Sequence, residues 1–457
     1  MLEQVKHIHF MGIGGIGMSA LALLLHDRGY QVSGCDGQDS ELIQDLRQQG
    51  IPVAIGHDAA HLEGIDLLVY TSAIPEHHAE RLACGDRGIT QVRRADLLGA
   101  IAGEYHQTLA IAGTHGKTTT TGMLGLALEA AGLDPTVFVG GILPDFGSNL
   151  RLGTSDYLAV EADEYDRSFL TLKPSAALVT SLEPDHLDIY RDLADLQDTF
   201  RQFLSQSSAG SPIVVCADAE NLVPVINRLG RPVITYGFNS NAQYTIHNVY
   251  QSAGTCRFQI QHDGMELCPV HLKVPGEHNI LNATGVIALC HSLKIELSGV
   301  LSGLQHFRGV ERRFQQRGTR RGVLFIDDYA HHPTEVTATL QAAKEGWPNA
   351  RIVVVFQPHL FSRTRDFARD FAKALRMADL AVVAPIYPAR EAPIPGVTSD
   401  LIRAAARREH WREPMLLESL DEIPEYLDDY LESGDIVITM GAGDIWRIND
   451  RILAEDL

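Results

Sequence analysis

Two glycine-rich motifs in this sequence have the spacing of ligand-binding turns. The first reads GIGGIG and places Gly12, Gly14, Gly15 and Gly17 in the pattern G-x-G-x-x-G. Asp36 stands about 20 residues further on, where its carboxylate can accept the hydroxyls of a ribose. Such a turn lets the backbone approach a diphosphate closely. Because the same turn binds any ribose diphosphate, the motif does not by itself specify a nicotinamide cofactor.

The second motif, GTHGKTT, predicts a phosphate-binding loop. Backbone N–H groups at the start of the following helix can cradle phosphate oxygens, and Lys117 can neutralise their charge. Thr118 can hold Mg²⁺ through its hydroxyl. The motif is shorter than the usual Walker pattern, which has a glycine where Ile111 stands. The loop comprises Gly113, Thr114, His115, Gly116, Lys117, Thr118 and Thr119.

Two acidic clusters follow predicted strands near this loop. Glu161 opens the segment EADE after the predicted strand 157–160, and His186 lies in EPDHLD after the predicted strand 176–180. The carboxyl ends of parallel strands meet at one edge of a sheet, where such sheets bind ligands. A carboxylate and an imidazole at that edge suit a divalent cation that bridges phosphates. We therefore predict a metal site formed by Thr118, Glu161 and His186.

Polar segments in the second half of the chain also stand beside predicted helices. An asparagine pair opens a predicted helix at 279–293, where amide side chains can face an adenine edge. A basic segment, FRGVERRF, stands out in an acidic protein. DDYAHHPTE and FQPHLFSRTR each separate a predicted strand from a helix, and arginines there fit an anionic substrate. The candidate residues are Asn279, Asn282, Arg312, Asp328, Tyr329, His331 and Arg363.

These motifs lie within an alternation of strands and helices that predicts an α/β fold of three domains. Boundaries near 105 and 312 give the divisions 1–105, 106–312 and 313–457. We predict that the first and third domains are Rossmann-like. The central one is predicted to be a P-loop domain with a mixed sheet, because residues 240–275 alternate like short antiparallel strands.

Composition limits the partners and the compartment. The 457 residues include 58 acidic and 38 basic ones, which gives a formal charge of −20. That field repels phosphate backbones, which argues against nucleic acid as a partner. The six cysteines include no CxxC pair, so we predict reduced thiols and a cytoplasmic location. No run of 18 apolar residues occurs, so we predict no membrane insertion.

The motifs, in this order and over essentially the whole chain, resemble the Mur ligases of bacterial cell-wall synthesis. They are IHFMGIGGIGMSA, GTHGKTTTT, EADEYDRSFL, EPDHLDIY, PGEHNILNA, GVERRF, DDYAHHPTEV and FQPHLFSRTRDF. The resemblance implies an ATP-dependent ligase whose three domains bind the UDP substrate, ATP and the amino acid. It implies that L-alanine is joined to the lactyl carboxylate of UDP-N-acetylmuramate through an acyl phosphate, with Mg²⁺ as cofactor and Mn²⁺ as a substitute.

The resemblance also implies roles for individual residues. Lys117, His186 and Arg363 would act in catalysis, and Thr118, Glu161 and His186 would bind the metal. ATP would bind along the phosphate loop, with Asn279 and Asn282 at the adenine, Asp328 at the ribose and Arg312 nearby. The UDP moiety would lie against Gly12, Gly14, Gly15, Gly17, Asp36 and Ser72. Tyr329, His331 and Arg363 would lie near the amino acid or the muramoyl carboxylate.

Two positions depart from the family pattern. Many members have an arginine where Leu360 stands, so Arg363 or Arg365 is expected to supply that contact with an anion. Related ligases for later amino acids use a carbamylated lysine after the DHxD motif, but the stretch 187–205 contains no lysine. Arg201 is the candidate source of positive charge in that stretch.

Three other interpretations remain open on the sequence. A nucleotide-dependent oxidoreductase is favoured by the first glycine motif alone, but it leaves the second motif without a role. A regulatory binding module with degenerate sites is opposed by the presence of Lys117, Thr118, Glu161 and His186. A recycling ligase that adds a whole tripeptide to UDP-N-acetylmuramate is the nearest rival, although its first glycine loop usually departs from GIGGIGMSA. The sequence does not specify the oligomeric state.

Overall fold

The first part of the chain folds as a doubly wound parallel sheet. The computed structural model describes residues 2–184, 189–252, 254–389 and 391–454. Its first elements are β1 (His7–Met11), α1 (Ile16–Asp27), β2 (Gln31–Asp36), α2 (Glu41–Gln48), β3 (Val53–Ile55), β4 (Leu67–Tyr70), α3 (Ala79–Asp86), β5 (Thr90–Arg93) and α4 (Arg94–Ala102). The strands are parallel and lie in the order β3-β2-β1-β4-β5. The order reverses between β1 and β4, where sheets of this kind bind ligands.

The alternation of side chains along β1 explains how both faces of this sheet are covered. Ile8 and Phe10 belong to a core cluster with the apolar residues of α1. Met11 belongs to a second, smaller cluster that includes Cys84 of α3. Because neighbouring residues of a strand point to opposite faces, a strand buried on both sides is apolar throughout.

The central sheet is mixed, as the sequence predicts. Its elements are β6 (Gln107–Ala112), α5 (Lys117–Ala130), β7 (Thr136–Leu143), β8 (Ser148–Arg151), β9 (Tyr157–Ala162), β10 (Ala176–Val179), α6 (Leu193–Ser205), β11 (Ile213–Cys216), α7 (Val223–Leu229), β12 (Ile234–Gly237), β13 (Tyr244–Ser252), β14 (Thr255–His262), β15 (Met265–Leu272), α8 (Glu277–Ser292) and α9 (Leu297–His306). The strand order is β15-β14-β13-β12-β11-β10-β6-β9-β7-β8. Strand β6 lies between β10 and β9 and is parallel to both, whereas β8 is antiparallel to β7.

The last part of the chain forms a third sheet, which is parallel except at one edge. Its elements are β16 (Gln315–Arg320), β17 (Val323–Asp328), α10 (Pro333–Gly346), β18 (Ile352–Phe356), α11 (Phe361–Leu375), β19 (Leu380–Val383), α12 (Asp400–Arg408), β20 (Met415–Leu416), α13 (Glu422–Tyr430), β21 (Ile436–Met440) and α14 (Arg447–Ala454). The order is β16-β17-β21-β18-β19-β20, and only β16 is antiparallel to its neighbour. Apolar strands fill its interior.

The chain divides into two compact units. The first comprises Met1–His247, Ile260–Cys268 and Leu281–Leu304, and the second comprises Asn248–Gln259, Pro269–Ile280 and Gln305–Leu457. The predicted boundary near 105 falls between α4 and β6, and that near 312 falls between α9 and β16. Within the described part of the chain, every helix is too short or too polar to cross a membrane.

Candidate active site

The first glycine motif forms a turn that is fastened to the end of β2. Gly12 has a φ of +75°, and its N–H donates to the carbonyl of Cys35 at 2.8 Å. The N–H of Gly14 donates to the carboxylate of Asp36 at 2.9 Å. A direct hydrogen bond therefore joins this turn to Asp36, and the ribose role of that carboxylate stays a prediction. The carboxylate is held at the start of α1, where a helix favours negative charge.

Close neighbours explain why glycines occupy this turn. A Cβ atom on Gly14 would lie 3.0 Å from both the Asp36 carboxylate and Ile43, and one on Gly17 would lie 2.8 Å from the guanidinium of Arg94.

Ser72, predicted from the resemblance, is exposed just beyond β4. Its neighbour Thr71, which the sequence did not single out, lies closer to the turn: its methyl would be 3.7 Å from a Cβ on Gly12.

The phosphate loop links β6 to α5 and packs against the end of β10. Gly116 immediately precedes α5 with a φ of +83°, a conformation that costs other residues energy. A Cβ on Gly113 would overlap the hydroxyl of Thr180. The N–H of His115 donates to the hydroxyl of Ser181 at 2.9 Å. The hydroxyl of Thr114 accepts the N–H of Glu183 at 2.9 Å. These contacts hold the loop at the carboxyl edge of the sheet.

Lys117 lies at the centre of this edge, surrounded by carboxylates. Its ammonium donates to the carbonyl of Gly113 at 2.8 Å and to the buried carboxylate of Glu164 at 2.6 Å. Asp163 lies 3.9 Å away. Burial alone would lower the pKa of Lys117, but the negative field of Glu164, Asp163 and Glu161 outweighs it and raises the pKa above its ordinary value. Lys117 therefore stays charged at every physiological pH.

Thr118 and Glu161 form the part of the predicted metal site that can be described. The hydroxyl of Thr118 donates to the Glu161 carboxylate at 3.2 Å, and the N–H of Gly140 donates to its other oxygen at 2.8 Å. Burial raises the pKa of Glu161, while the charge of Lys117 opposes that rise. A hydroxyl beside a carboxylate is a hard oxygen donor set that fits Mg²⁺. His186 lies outside the described residues.

The two asparagines of α8 have different surroundings. The amide oxygen of Asn282 would lie 2.8 Å from a Cβ on Gly116, so Asn282 adjoins the phosphate loop within the first unit. Asn279, which belongs to the second unit, donates its amide hydrogen to the carbonyl of Pro275 at 2.6 Å. Both side chains are buried. The adenine role of both residues stays a prediction.

In the second unit, Arg312 and Asp328 are fixed by the end of β17. The guanidinium of Arg312 donates to the buried carboxylate of Asp327 at 3.2 Å and to the carbonyl of Gly441 at 2.7 Å. The carboxylate of Asp328 accepts the N–H groups of Phe314 and Ala330, each at 2.8 Å. Burial raises the pKa of Asp328 to about 6, against the opposing field of nearby Arg313. Asp327, which the sequence did not single out, is the partner of Arg312.

His331 contacts Tyr329 and lies within the electrostatic field of Arg363, in the same unit. The rings of Tyr329 and His331 meet edge to face with centroids 5.3 Å apart. Burial lowers the pKa of His331 to about 4; Glu335 opposes this decrease and Arg363 adds to it. His331 is therefore a neutral imidazole at pH 7. Arg365, the other candidate beside Leu360, is exposed and paired with Asp366 at 2.7 Å.

Leu360 and Arg201 also have defined surroundings. Leu360 precedes α11 with a φ of +69°, which is uncommon for a residue other than glycine. Its N–H nevertheless donates to the carbonyl of Tyr387, and its carbonyl accepts the N–H of Thr364.

Arg201 lies on α6, and its guanidinium is 3.7 Å from the carboxylate of Asp198. Arg201 is thus engaged in a surface ion pair.

The glycine loop between strand and helix, the buried lysine and the adjacent oxygen donors define a phosphate-loop protein of the α/β class. Family models match three successive parts of the chain: "Mur ligase family, catalytic domain" at residues 7–106, "Mur ligase middle domain" at 111–290, and "Mur ligase, glutamate ligase domain" at 312–443. The chain belongs to the Mur ligase family, as its motifs predict.

Full-length relatives support the same membership. The UDP-N-acetylmuramate–L-alanine ligase of Agathobacter rectalis is 42% identical over 453 residues, which cover 98% of this chain and 97% of that protein. The ligase of the same name from Salinibacter ruber is 41% identical over 453 residues, covering 99% and 95%.

Solved structures agree with the fold. The UDP-N-acetylmuramate-alanine ligase MurC from Thermotoga maritima has a TM-score of 0.85 and 32% identity, covering 98% of this chain and 99% of that one. A murein peptide ligase from Psychrobacter arcticus has a TM-score of 0.73 and 25% identity, covering 98% of each chain. The predicted three-domain α/β fold is confirmed by this similarity.

Proposed function

We propose that this chain joins L-alanine to the lactyl carboxylate of UDP-N-acetylmuramate, at the expense of ATP, as a step of peptidoglycan precursor synthesis. One observation carries the proposal: two full-length relatives are named for that activity. They come from Agathobacter rectalis and Salinibacter ruber and are 42% and 41% identical to this chain. The phosphate loop supports the chemistry, because it presents a permanently charged lysine beside oxygen donors.

The reaction that we propose begins with phosphoryl transfer. A lactyl carboxylate oxygen attacks the γ-phosphorus of ATP, the new O–P bond gives an acyl phosphate, and ADP leaves. Two anions must meet, so positive charge has to be in place before the reaction. We assign this charge to Lys117, whose ammonium is held by the carbonyl of Gly113 and the carboxylate of Glu164.

The amine of L-alanine then attacks the acyl carbon, an amide bond forms and phosphate departs. We assign Mg²⁺ to Thr118 and Glu161, with His186 as a further ligand and Mn²⁺ as a substitute; the metal would neutralise phosphate charge. We assign catalytic roles to Lys117, His186 and Arg363. Burial keeps the imidazole of His331 neutral at pH 7, so it would add no charge where alanine or the muramoyl carboxylate is expected to lie.

We further propose that the first glycine turn holds the UDP part of the substrate. The turn lies at the point where the strand order of the first sheet reverses, between β1 and β4. Asp36 and Ser72 stand at the ends of β2 and β4, on either side of that point. The divisions 1–105, 106–312 and 313–457 remain our proposal for the three domains.

The remaining assignments concern ATP and alanine. We propose that ATP lies along residues 113–119, with Asn279, Asn282, Arg312 and Asp328 around the nucleoside. Tyr329, His331 and Arg363 would face alanine or the muramoyl carboxylate. Because the proposed substrates are a UDP-sugar, ATP and a free amino acid, we place the enzyme in the cytoplasm.

The rival is a ligase that adds a tripeptide, and one assay separates the two. Phosphate release is measured with ATP, Mg²⁺ and UDP-N-acetylmuramate, together with L-alanine, glycine, L-serine or L-Ala-γ-D-Glu-diaminopimelate. We expect L-alanine to have the highest kcat/KM, with glycine about 10–200-fold lower, because one methyl group discriminates by ~1–3 kcal/mol. The tripeptide should be poorer still. A kcat/KM for tripeptide at or above that for L-alanine would overturn the proposal in favour of the recycling ligase.

A further inference from the structure

One face of the first sheet carries a cluster of side chains that the proposed ligase reaction does not use. His9 of β1 and Cys35 of β2 lie on the face where α3 packs. His61 is contributed by a short 3₁₀ helix, Ala59–Leu62, and Glu80 by α3. His9 and Cys35 are buried and Glu80 is 0% exposed. A fully buried carboxylate beside a thiol and imidazoles is uncommon unless a charge compensates it.

The four side chains present their donor atoms to one point. One donor atom each from His9, Cys35, His61 and Glu80 lies within 4.8 Å of the others. Zinc bonds of about 2.0–2.3 Å place tetrahedral ligand atoms roughly 3.3–3.8 Å apart, so small side-chain adjustments close the cluster around an ion. Imidazole nitrogen, thiolate sulfur and carboxylate oxygen are all ligand atoms that zinc binds in proteins.

His9 gives an independent indication that a ligand belongs here. Its side chain is 2% exposed, and its Nε2 has no hydrogen-bond partner among the described residues. Its Nδ1 is held by the hydroxyl of Ser33 at 2.8 Å, and the same hydroxyl contacts His7 at 2.8 Å. Metal-binding histidines are oriented in this way, with one ring nitrogen fixed by a neighbour and the other left for the metal.

Glu80 is likewise oriented by its surroundings. The N–H of Asp58 donates to one carboxylate oxygen at 2.8 Å. The ring of His57 lies 3.1 Å from the other oxygen. The Nδ1 of His61 lies 2.9 Å from the first oxygen, and the thiol of Cys35 donates to the second at 3.5 Å. These contacts orient the carboxylate and gather His61 and Cys35 around it.

We propose that His9, Cys35, His61 and Glu80 bind one structural Zn²⁺ on this face of the first sheet. Cys35 binds as a thiolate and releases its proton to the solvent when the zinc–sulfur bond forms. Four protein ligands complete the tetrahedron, so the site is closed and has a structural role.

The proposed ion would brace the base of the first glycine turn. It would join β1, β2, the short 3₁₀ helix and α3 through single side chains. The carbonyl of Cys35 accepts the N–H groups of Gly12 and Ile13, and Asp36 is the next residue along the chain. A metal on the Cys35 sulfur would therefore restrain the backbone that supports this turn.

Zinc content with a matched cysteine control tests the proposal. Cys84 is buried in the same apolar cluster as Cys35 but is not among the four ligands. Full-length protein is loaded with Zn²⁺, passed through gel filtration and analysed for zinc per chain. We expect about one zinc in the wild type and in Cys84→Ala, and about tenfold less in Cys35→Ala. Equal zinc in the two cysteine variants, or none in the wild type, would contradict the proposal and indicate a metal-free hydrogen-bonded cluster.

A spectroscopic readout covers the case in which Cys35→Ala fails to fold. Co²⁺ replaces zinc in the wild type, and a thiolate-to-cobalt charge-transfer band with intense visible d–d bands reports a tetrahedral sulfur site. We expect this spectrum in wild type and Cys84→Ala. Ser33→Ala, which removes the partner of His9, should retain the spectrum but bind Co²⁺ about 10–100-fold more weakly. A wild-type spectrum without the thiolate band, or unchanged affinity in Ser33→Ala, would overturn the assignment.

Discussion

The two glycine turns of the first unit share a local fold but differ in charge. Each follows a parallel strand and precedes a helix, and each contains a glycine with positive φ: +75° at Gly12 and +83° at Gly116. In the first turn, the N–H of Gly14 is already bonded to the carboxylate of Asp36. In the second, the helix begins with Lys117, whose ammonium donates to the carboxylate of Glu164.

This difference indicates what each turn can do. A turn whose amide is satisfied by a fixed carboxylate can orient the hydroxyls of a ribose, but it offers little compensation for new negative charge. A lysine with several carboxylates around it remains charged and provides that compensation during phosphoryl transfer. We therefore assign binding to the first turn and chemistry to the second, and the substitutions below are designed to test that division.

The largest effect is expected for Lys117→Ala. Loss of the ammonium should lower kcat by roughly 10²–10³, because a preorganised electrostatic donor stabilises the transition state by ~3–4 kcal/mol. Lys173→Ala removes an exposed lysine of the same unit and serves as the control. Phosphate release under saturating substrates measures both. A rate for Lys117→Ala within threefold of the control would remove Lys117 from catalysis.

A smaller effect is expected for Glu161→Gln, which tests the metal assignment at the second turn. The Mg²⁺ concentration for half-maximal rate should rise about tenfold or more, since one charged oxygen ligand is lost. His186→Ala is expected to act in the same direction. Asp163→Asn is the matched control, because Asp163 lies in the same acidic cluster and is 3.9 Å from Lys117. If Glu161→Gln and Asp163→Asn raise the required Mg²⁺ concentration equally, the increase reflects the loss of negative charge in this cluster and not the loss of a metal ligand.

Gly116→Ala should impair ATP binding at the second turn. The positive φ and the 2.8 Å approach of Asn282 both disfavour a methyl group. Strain of about 1–3 kcal/mol in the loop should raise the KM for ATP roughly tenfold. The KM for UDP-N-acetylmuramate should change little. A larger increase for the UDP substrate than for ATP would reverse the assignment of the two turns.

The smallest effect is expected for Asp36→Asn at the first turn. The amide keeps an oxygen for the Gly14 N–H but loses the charge that strengthens bonds to ribose hydroxyls. We expect the KM for UDP-N-acetylmuramate to rise about fivefold, with kcat and the KM for ATP unchanged. Asp39→Asn, an exposed neighbour paired with Arg47, is the control. A fall in kcat without any change in KM would show that the first turn takes part in chemistry.

Most of the fold could be predicted because its central strands are continuous apolar runs. Strands β1, β6 and β18 are buried almost throughout, so their sequence alone distinguishes them. Strand β16 was not predicted, because QQRGTR has no apolar pattern and the strand lies at an edge. Strand β7 was missed too, since its pairing with β8 is irregular and two glycines interrupt it.

The site could be predicted where its residues share one motif. The loop around Lys117 is contiguous, and Glu161 follows a recognisable strand. The residue that pairs with Lys117 could not be chosen in advance, because Glu164 and its neighbour Asp163 are equivalent in sequence and only burial distinguishes them. Arg94 could not be predicted for a related reason: it is distant from Gly17 in the sequence, and only the packing of the fold brings its guanidinium close to that glycine.

The assignment of binding to the first turn and chemistry to the second requires that a phosphoryl group is transferred to the lactyl carboxylate at the second turn. Oxygen labelling measures that step. UDP-N-acetylmuramate with both carboxylate oxygens replaced by ¹⁸O is converted with ATP, Mg²⁺ and L-alanine, and the released phosphate is analysed by mass spectrometry. Attack of the carboxylate on the γ-phosphorus predicts one ¹⁸O atom in each phosphate and one in the new amide. Phosphate free of ¹⁸O would contradict the account, because no bond would then have formed between the carboxylate and the γ-phosphorus.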